Sequence, residues 1–79
     1  MFNELINRLY AFASDNKLLI EISTTDDELT YTLQDKSRSW GYQRYISNVE
    51  YEAFGGSRLQ RIDYEINRLR RKLVDVGVI

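Results

Sequence analysis

The sequence predicts an α+β domain built from a helix, a three-stranded antiparallel meander, a short helix and a long helix, with the helices in a second layer on one sheet face. Apolar residues recur every three or four positions near both ends of the chain, which indicates amphipathic helices. In the central part they alternate with polar residues, which indicates half-buried strands. Because a three-stranded sheet cannot hide its apolar face by itself, we expect the two longer helices to cover it.

The first helix is predicted from an apolar stripe at helical spacing. Its residues are Phe2, Leu5, Ile6, Leu9, Phe12 and Ala13. The polar segment from Ser14 to Asn16 is expected to end the helix, with Asn16 in the left-handed conformation of a C-terminal cap.

Three strands follow, separated by the turn-forming segments "TTDDE" and "QDKS". Their inward-facing residues are expected to be Leu18, Ile20 and Ile22, then Leu29, Tyr31 and Leu33, then Trp40, Tyr42 and Ile46. Arg44 shares the parity of the third set and interrupts its apolar pattern, so the sequence does not decide which face of that strand points inward. Tyr45 has the opposite parity and is expected to be exposed.

Two helices complete the chain. Ser47 and Glu50 have the spacing of a capping box, which predicts a short helix reaching about Phe54. Gly55 and Gly56 are expected to end it, and a serine at position 57 to cap a long helix that fades near Asp75. The apolar stripe of the long helix is Leu59, Ile62, Ile66, Leu69, Leu73 and Val76.

A charged stripe runs beside the apolar stripe of the long helix. It consists of Arg58, Arg61, Glu65, Arg68, Lys72 and Asp75. Positive charge near a helix C-terminus complements the helix dipole, so the stripe is interpreted as a solvated face. A contact patch for phosphates or for an acidic partner is the alternative, and the apolar stripe also has the spacing of a coiled-coil seam.

Composition excludes several kinds of site. The chain has 79 residues, interpreted as one domain over 1–79, and a net charge of −1. It contains no histidine and no cysteine, which excludes Ser-His and Cys-His nucleophiles, His or thiolate zinc sites and disulfides. The acidic turn at 26–28 is interpreted as a hairpin turn, because a calcium loop needs more oxygen ligands at defined spacing. The glycines before the long helix are interpreted as a corner between helices, because a phosphate-binding loop needs a Walker lysine or a GxGxxG pattern. We therefore expect no enzyme activity, no cofactor and no metal.

The predicted element order resembles that of the double-stranded RNA-binding domain. That family carries a lysine-rich motif at the start of its last helix, where this chain has "GGSRLQR" with Arg58 and Arg61 only. The segment "SNVEYEAF" is a further departure. In size, in its lack of cysteine and proline and in its α/β build, the chain resembles small accessory proteins of phages and mobile elements, including anti-CRISPR inhibitors. That resemblance implies a stoichiometric binder that occupies the surface of another protein.

The sequence thus predicts a non-catalytic binding protein, a phage-type accessory or inhibitor acting through a protein–protein interface in the cytoplasm. Tyrosine and arginine are common interface anchors. The predicted partner-binding residues are Tyr45, Tyr51, Arg58, Arg61, Tyr64, Arg68 and Arg71. An inhibitor of a nucleic-acid enzyme can also use the acidic edge formed by Glu21, Asp26, Asp27 and Glu28. The alternatives are a double-stranded RNA or DNA binding module that uses the last helix, and a homodimeric assembly subunit. No membrane partner is expected.

Overall fold

The helices and strands follow one another in the predicted order in the computed structural model, which describes residues 2–79. The elements are α1 (Asn3–Asp15), β1 (Leu19–Thr24), β2 (Glu28–Gln34), β3 (Gly41–Ser47), α2 (Asn48–Ala53) and α3 (Arg58–Asp75). The predicted α+β class, the meander and the two terminal helical segments are confirmed. None of the helices in the described part of the chain is both long and apolar enough to cross a membrane.

The strands form one antiparallel sheet in the order β1-β2-β3. Tyr31 lies at its centre, opposite Ile22 on β1 and Arg44 on β3. The next inward row places Leu33 between a β1 isoleucine and the β3 residue Tyr42. The predicted inward parity of all three strands is therefore confirmed, and Arg44 lies on the inward face with the apolar residues.

The core lies between that sheet face and the helices α1 and α3. At its centre, leucines of both helices and of β2 are almost fully buried. The buried apolar residues are Phe2, Leu5, Leu9, Phe12, Ala13, Leu29, Tyr31, Leu33, Ile46, Tyr51, Ile62, Ile66, Leu69 and Leu73. Trp40 and Tyr42 are half-buried at its edge, with their rings stacked 6.5 Å apart. Because the central residues of the α3 stripe are buried inside this chain, they are not available as a seam for a second copy.

The two ends of the α3 stripe depart from the prediction. Leu59 is 63% exposed, and Val76 is also exposed. Both positions have the correct helical spacing, but they lie in the first turn and at the C-terminal cap of α3, whose buried residues run from Ile62 to Leu73. The prediction that these two residues belong to the core is therefore wrong.

Two predicted caps differ in detail. The left-handed residue after α1 is Lys17, with φ of 57°, and not Asn16, whose φ is −102°. Asn16 stabilises the helix end in another way, since its side-chain amide donates to the Phe12 carbonyl at 2.9 Å. Ser47 caps α2 as predicted, accepting from the Glu50 amide at 3.1 Å. The Glu50 carboxylate does not complete the box, because it accepts a hydrogen bond from Arg44.

The turn between β2 and β3 is organised by Asp35. Its carboxylate accepts hydrogen bonds from the hydroxyls of Ser37 and Ser39, each at 2.6 Å, and from the Trp40 amide at 3.0 Å. These hydrogen bonds, led by that from Ser37, stabilise the charged form and lower the pKa of Asp35 to about 2. The turn also contains Arg38 with a φ of 59°.

Candidate functional site

A cleft of about 400 Å³ lies between α2 and the first half of α3. We call it the α2–α3 cleft. It is lined by Arg44, Glu50, Tyr51, Ala53, Phe54, Arg61, Tyr64, Glu65 and Arg68. Four of the seven predicted partner-binding residues belong to it, namely Tyr51, Arg61, Tyr64 and Arg68.

The corner between α2 and α3 sets the width of this cleft. Gly55 and Gly56 have φ values of 76° and 68°, which turn the chain back on itself at low cost only because they are glycines. A complete capping box then begins α3: the Ser57 hydroxyl accepts from the Gln60 amide at 3.2 Å, and the Gln60 side chain accepts from the Ser57 amide at 2.7 Å. The corner is therefore held by local interactions that the short sequence "FGGSRLQ" carries.

The floor of the cleft is an ion-pair network centred on Arg44. One of its terminal nitrogens, Nη2, lies 3.0 Å from Glu50 and 3.2 Å from Glu65. Burial opposes the charge on Arg44, but the hydrogen bonds to these two carboxylates outweigh it and raise its pKa above its ordinary value. Glu65 is only 6% exposed, so its assignment to a solvated charged stripe is wrong. Its helical position faces β3, and it is the inward-facing arginine of that strand that makes its burial tolerable.

Tyr51 forms the wall of the cleft on the α2 side. It is 5% exposed and packs against Phe2 with the ring centroids 5.4 Å apart, so this predicted partner-binding residue is buried. Burial raises the pKa of its phenol. The guanidinium of Arg61 lies over its ring at 5.3 Å from the centroid and donates to the Gly56 carbonyl at 3.2 Å. Tyr51 thus supports the guanidinium of Arg61.

The rim of the cleft carries an exposed aromatic pair. The rings of Phe54 and Tyr64 lie 4.5 Å apart with an angle of 30° between their planes. The two residues are 46% and 42% exposed, although large aromatic side chains usually bury most of their surface. A second, shallower depression lies on the other side of the pair, lined by polar residues of α3 that include Gln60 and Asn67. The pair therefore forms a ridge between two concave surfaces.

The charges of the cleft do not cancel. Three guanidinium groups line it against two carboxylates, and both carboxylates are held by Arg44. Within residues 2–79, Arg61 and Arg68 form no ion pair with a carboxylate. Arg68 makes only a long hydrogen bond of 3.4 Å to the hydroxyl of Tyr42. The cleft therefore presents two cations on the same side of α3 as the exposed ring of Tyr64.

The other three predicted partner-binding residues lie outside this cleft. Tyr45 is exposed as expected and donates its hydroxyl to Glu28 at 2.9 Å, a hydrogen bond that raises its pKa. Arg58 is exposed and pairs with Glu4 at 2.7 Å. Arg71 is exposed near the end of α3. In the acidic edge, the β1–β2 turn is tied to α2 because the Asp27 carbonyl accepts from the amide of residue 48 at 2.8 Å.

Sequence reasoning missed Arg44, Phe54 and Glu65 as members of the site. A signal for Arg44 was present, because its charge interrupts an inward-facing apolar pattern and a buried charge requires a partner. The signal for Glu65 was its place beside the apolar stripe of α3. No comparable signal existed for Phe54, since its exposure depends on how the corner folds.

The polar groups of the cleft are guanidinium groups, two paired carboxylates and phenols, and no histidine or cysteine exists in the chain. In the part of the chain that the structure describes, no three acidic side chains lie close enough together to hold a metal ion. No protein-family model matches the chain, and neither curated proteins nor solved structures give a match.

Proposed function

We propose that this protein is a small non-catalytic binding domain that occupies the surface of a protein partner, in the manner of the phage-type accessory proteins and inhibitors that the sequence resembles. The observation that supports this proposal is the exposed Phe54–Tyr64 ridge beside the α2–α3 cleft. Aromatic side chains that alternate with concave surface and arginines are typical of the energetic centre of a protein interface.

A protein partner is favoured over nucleic acid by the state of the arginines. Binding to duplex RNA or DNA relies on several cations free to contact phosphates. Of the basic residues expected at such a surface, Arg58 is already engaged in an ion pair with Glu4. The chain as a whole has a net charge of −1. The cleft with its aromatic rim therefore suits a mixed apolar and polar protein surface better than a phosphate backbone.

The proposal is tested by affinity capture from host lysate with and without nuclease, using the intact chain as bait. We expect a protein partner at a fixed stoichiometry, retained after nuclease treatment and lost from a Phe54→Ala/Tyr64→Ala bait. Tyr10→Ala is the matched control, because Tyr10 is an exposed aromatic residue on α1, away from the cleft. Loss of capture after nuclease contradicts the proposal, as does equal capture by the double variant.

A further inference from the structure

The α2–α3 cleft carries information about the chemistry of its partner, provided that the proposed function holds. We propose that the cleft recognises an acidic segment of the partner protein: two carboxylates bind Arg61 and Arg68, and an apolar side chain between them packs on the Phe54–Tyr64 ridge.

The distribution of charge indicates which arginines are available. Three other arginines already have carboxylates: Arg8 pairs with Asp63, Arg44 with Glu50 and Glu65, and Arg58 with Glu4. Within the described residues Arg61 and Arg68 have none. Both are partly buried beside aromatic rings, where a guanidinium is less hydrated than on an open surface. An incoming carboxylate at such a position forms a charge-assisted hydrogen bond of the stronger kind.

The spacing of the two arginines and the tyrosine along α3 indicates the spacing of the side chains that would bind them. Arg61, Tyr64 and Arg68 stand at positions i, i+3 and i+7, so they share one side of α3. At 1.5 Å per residue, the two arginines are separated by about 10 Å along the helix axis, with the tyrosine between them. An extended chain advances about 3.3 Å per residue and points every second side chain to the same face, so side chains at i and i+4 lie about 13 Å apart on one face with that of i+2 midway between them. The long, flexible arginine side chains can reach acids at that spacing, and the expected segment therefore has acidic side chains four positions apart and an apolar side chain midway between them.

The acidic residues in and around the cleft favour a short acidic segment over nucleic acid. The cleft has a net charge of only +1, because Glu50 and Glu65 offset two of its three arginines. Glu52 adds a further exposed acid on α2, and the acidic β1–β2 turn is hydrogen-bonded to the start of that helix. A short segment with two carboxylates fits between these acids, whereas a continuous phosphate backbone extends into them.

The test uses the ¹⁵N-labelled intact chain and a capped synthetic peptide that carries two glutamates four positions apart with a leucine midway between them. We expect saturable shifts of backbone amide signals confined to α2 and the first half of α3. The affinity should fall about tenfold when glutamines replace the peptide glutamates. It should fall as much in an Arg61→Gln/Arg68→Gln variant, and change less than about twofold in Arg70→Gln, which removes a positive charge from an exposed position of the same helix outside the cleft.

Two controls keep the result interpretable. Arg68→Gln alone leaves the stacking of Arg61 on Tyr51 intact, so it preserves the fold if the double variant does not, and it should still weaken the acidic peptide. A short RNA duplex serves as the polyanion. The inference is overturned if no cleft amide shifts at peptide concentrations up to about 5 mM, if the glutamine peptide binds equally, or if only the duplex binds. Should the captured partner nevertheless depend on Phe54 and Tyr64, the proposed function stands and only the acidic specificity falls.

Discussion

Replacing Arg44 by methionine should destabilise the fold far more than its place on an edge strand suggests. The side chains of Arg44 and Glu65 are 14% and 8% exposed, and their nearest nitrogen and oxygen are 3.2 Å apart. Arg44→Met leaves the Glu65 carboxylate buried without its cation, and breaking a buried pair in this way costs about 3–5 kcal/mol. Because Arg44 is not fully buried, we take about 3 kcal/mol for this site.

That magnitude is large for a chain of 79 residues. At about 0.05–0.15 kcal/mol per residue, its total free energy of unfolding is roughly 4–12 kcal/mol. A loss of about 3 kcal/mol lowers the Tm of so small a domain by about 12–24 °C. The assay is urea denaturation followed by far-ultraviolet circular dichroism, with a thermal melt of the same samples.

Two further variants separate burial from mere contact. Glu50→Gln removes the other carboxylate on the same Arg44 nitrogen, but Glu50 is half-exposed and the loss should stay below about 1 kcal/mol. The double variant Arg44→Met/Glu65→Met removes both buried charges, and its stability should return to within about 1 kcal/mol of the unmodified protein. If Arg44→Met costs less than about 1 kcal/mol, or if the double variant is as unstable as the sum of the single ones, the reasoning about the buried pair is refuted.

Three other perturbations give distinct outcomes. Leu69→Ala should cost about 2–5 kcal/mol and Leu59→Ala less than about 0.5 kcal/mol in urea denaturation, although both belong to the same apolar stripe; equal losses would place Leu59 in the core. The folded-state pKa of Asp35 is lowered to about 2, so its contribution to stability is complete above pH about 4 and disappears as the pH falls to about 2. Asp35→Asn should flatten the acid-induced change of Tm in that interval, and an unchanged slope would contradict the assignment. Gly56→Ala should lower the Tm, because the added methyl group meets the Gln60 side chain of the capping box at a positive φ; an unchanged Tm would show that the corner can relax.

The order of the elements could be predicted from the sequence because each element is specified by a local pattern. The alternation of Leu29, Tyr31 and Leu33 is the period of a strand, and those three residues are buried in the sheet. The caps at Ser47 and Ser57 depend on hydrogen bonds within three residues, so they also follow from local sequence. Local patterns were less reliable at helix ends, where Leu59 and Val76 kept the period of α3 but lay outside its buried stretch.

The candidate site could be predicted only in part. Arg61, Tyr64 and Arg68 were identified because arginine and tyrosine are frequent in interfaces and stand together on one helix. Residue type does not reveal which of its possible neighbours a side chain meets. Tyr51 therefore had the character of an interface residue and proved to be a buried support for Arg61.

By itself the sequence determined the fold class, the inward faces of β1 and β2, the serine caps of α2 and α3 and the absence of histidine and cysteine chemistry. Periodicity and capping act over a few residues, and composition does not depend on the fold at all. Tertiary structure alone decided which charges are neutralised. Arg44 and Glu65 are separated by 21 positions along the chain and meet only because α3 packs beside β3. Among residues 2–79, the same packing leaves Arg61 and Arg68 without carboxylates and exposes the Phe54–Tyr64 ridge. Electrostatic and aromatic interactions depend on distances of a few ångströms across the fold, and those distances are fixed only when the helices settle on the sheet.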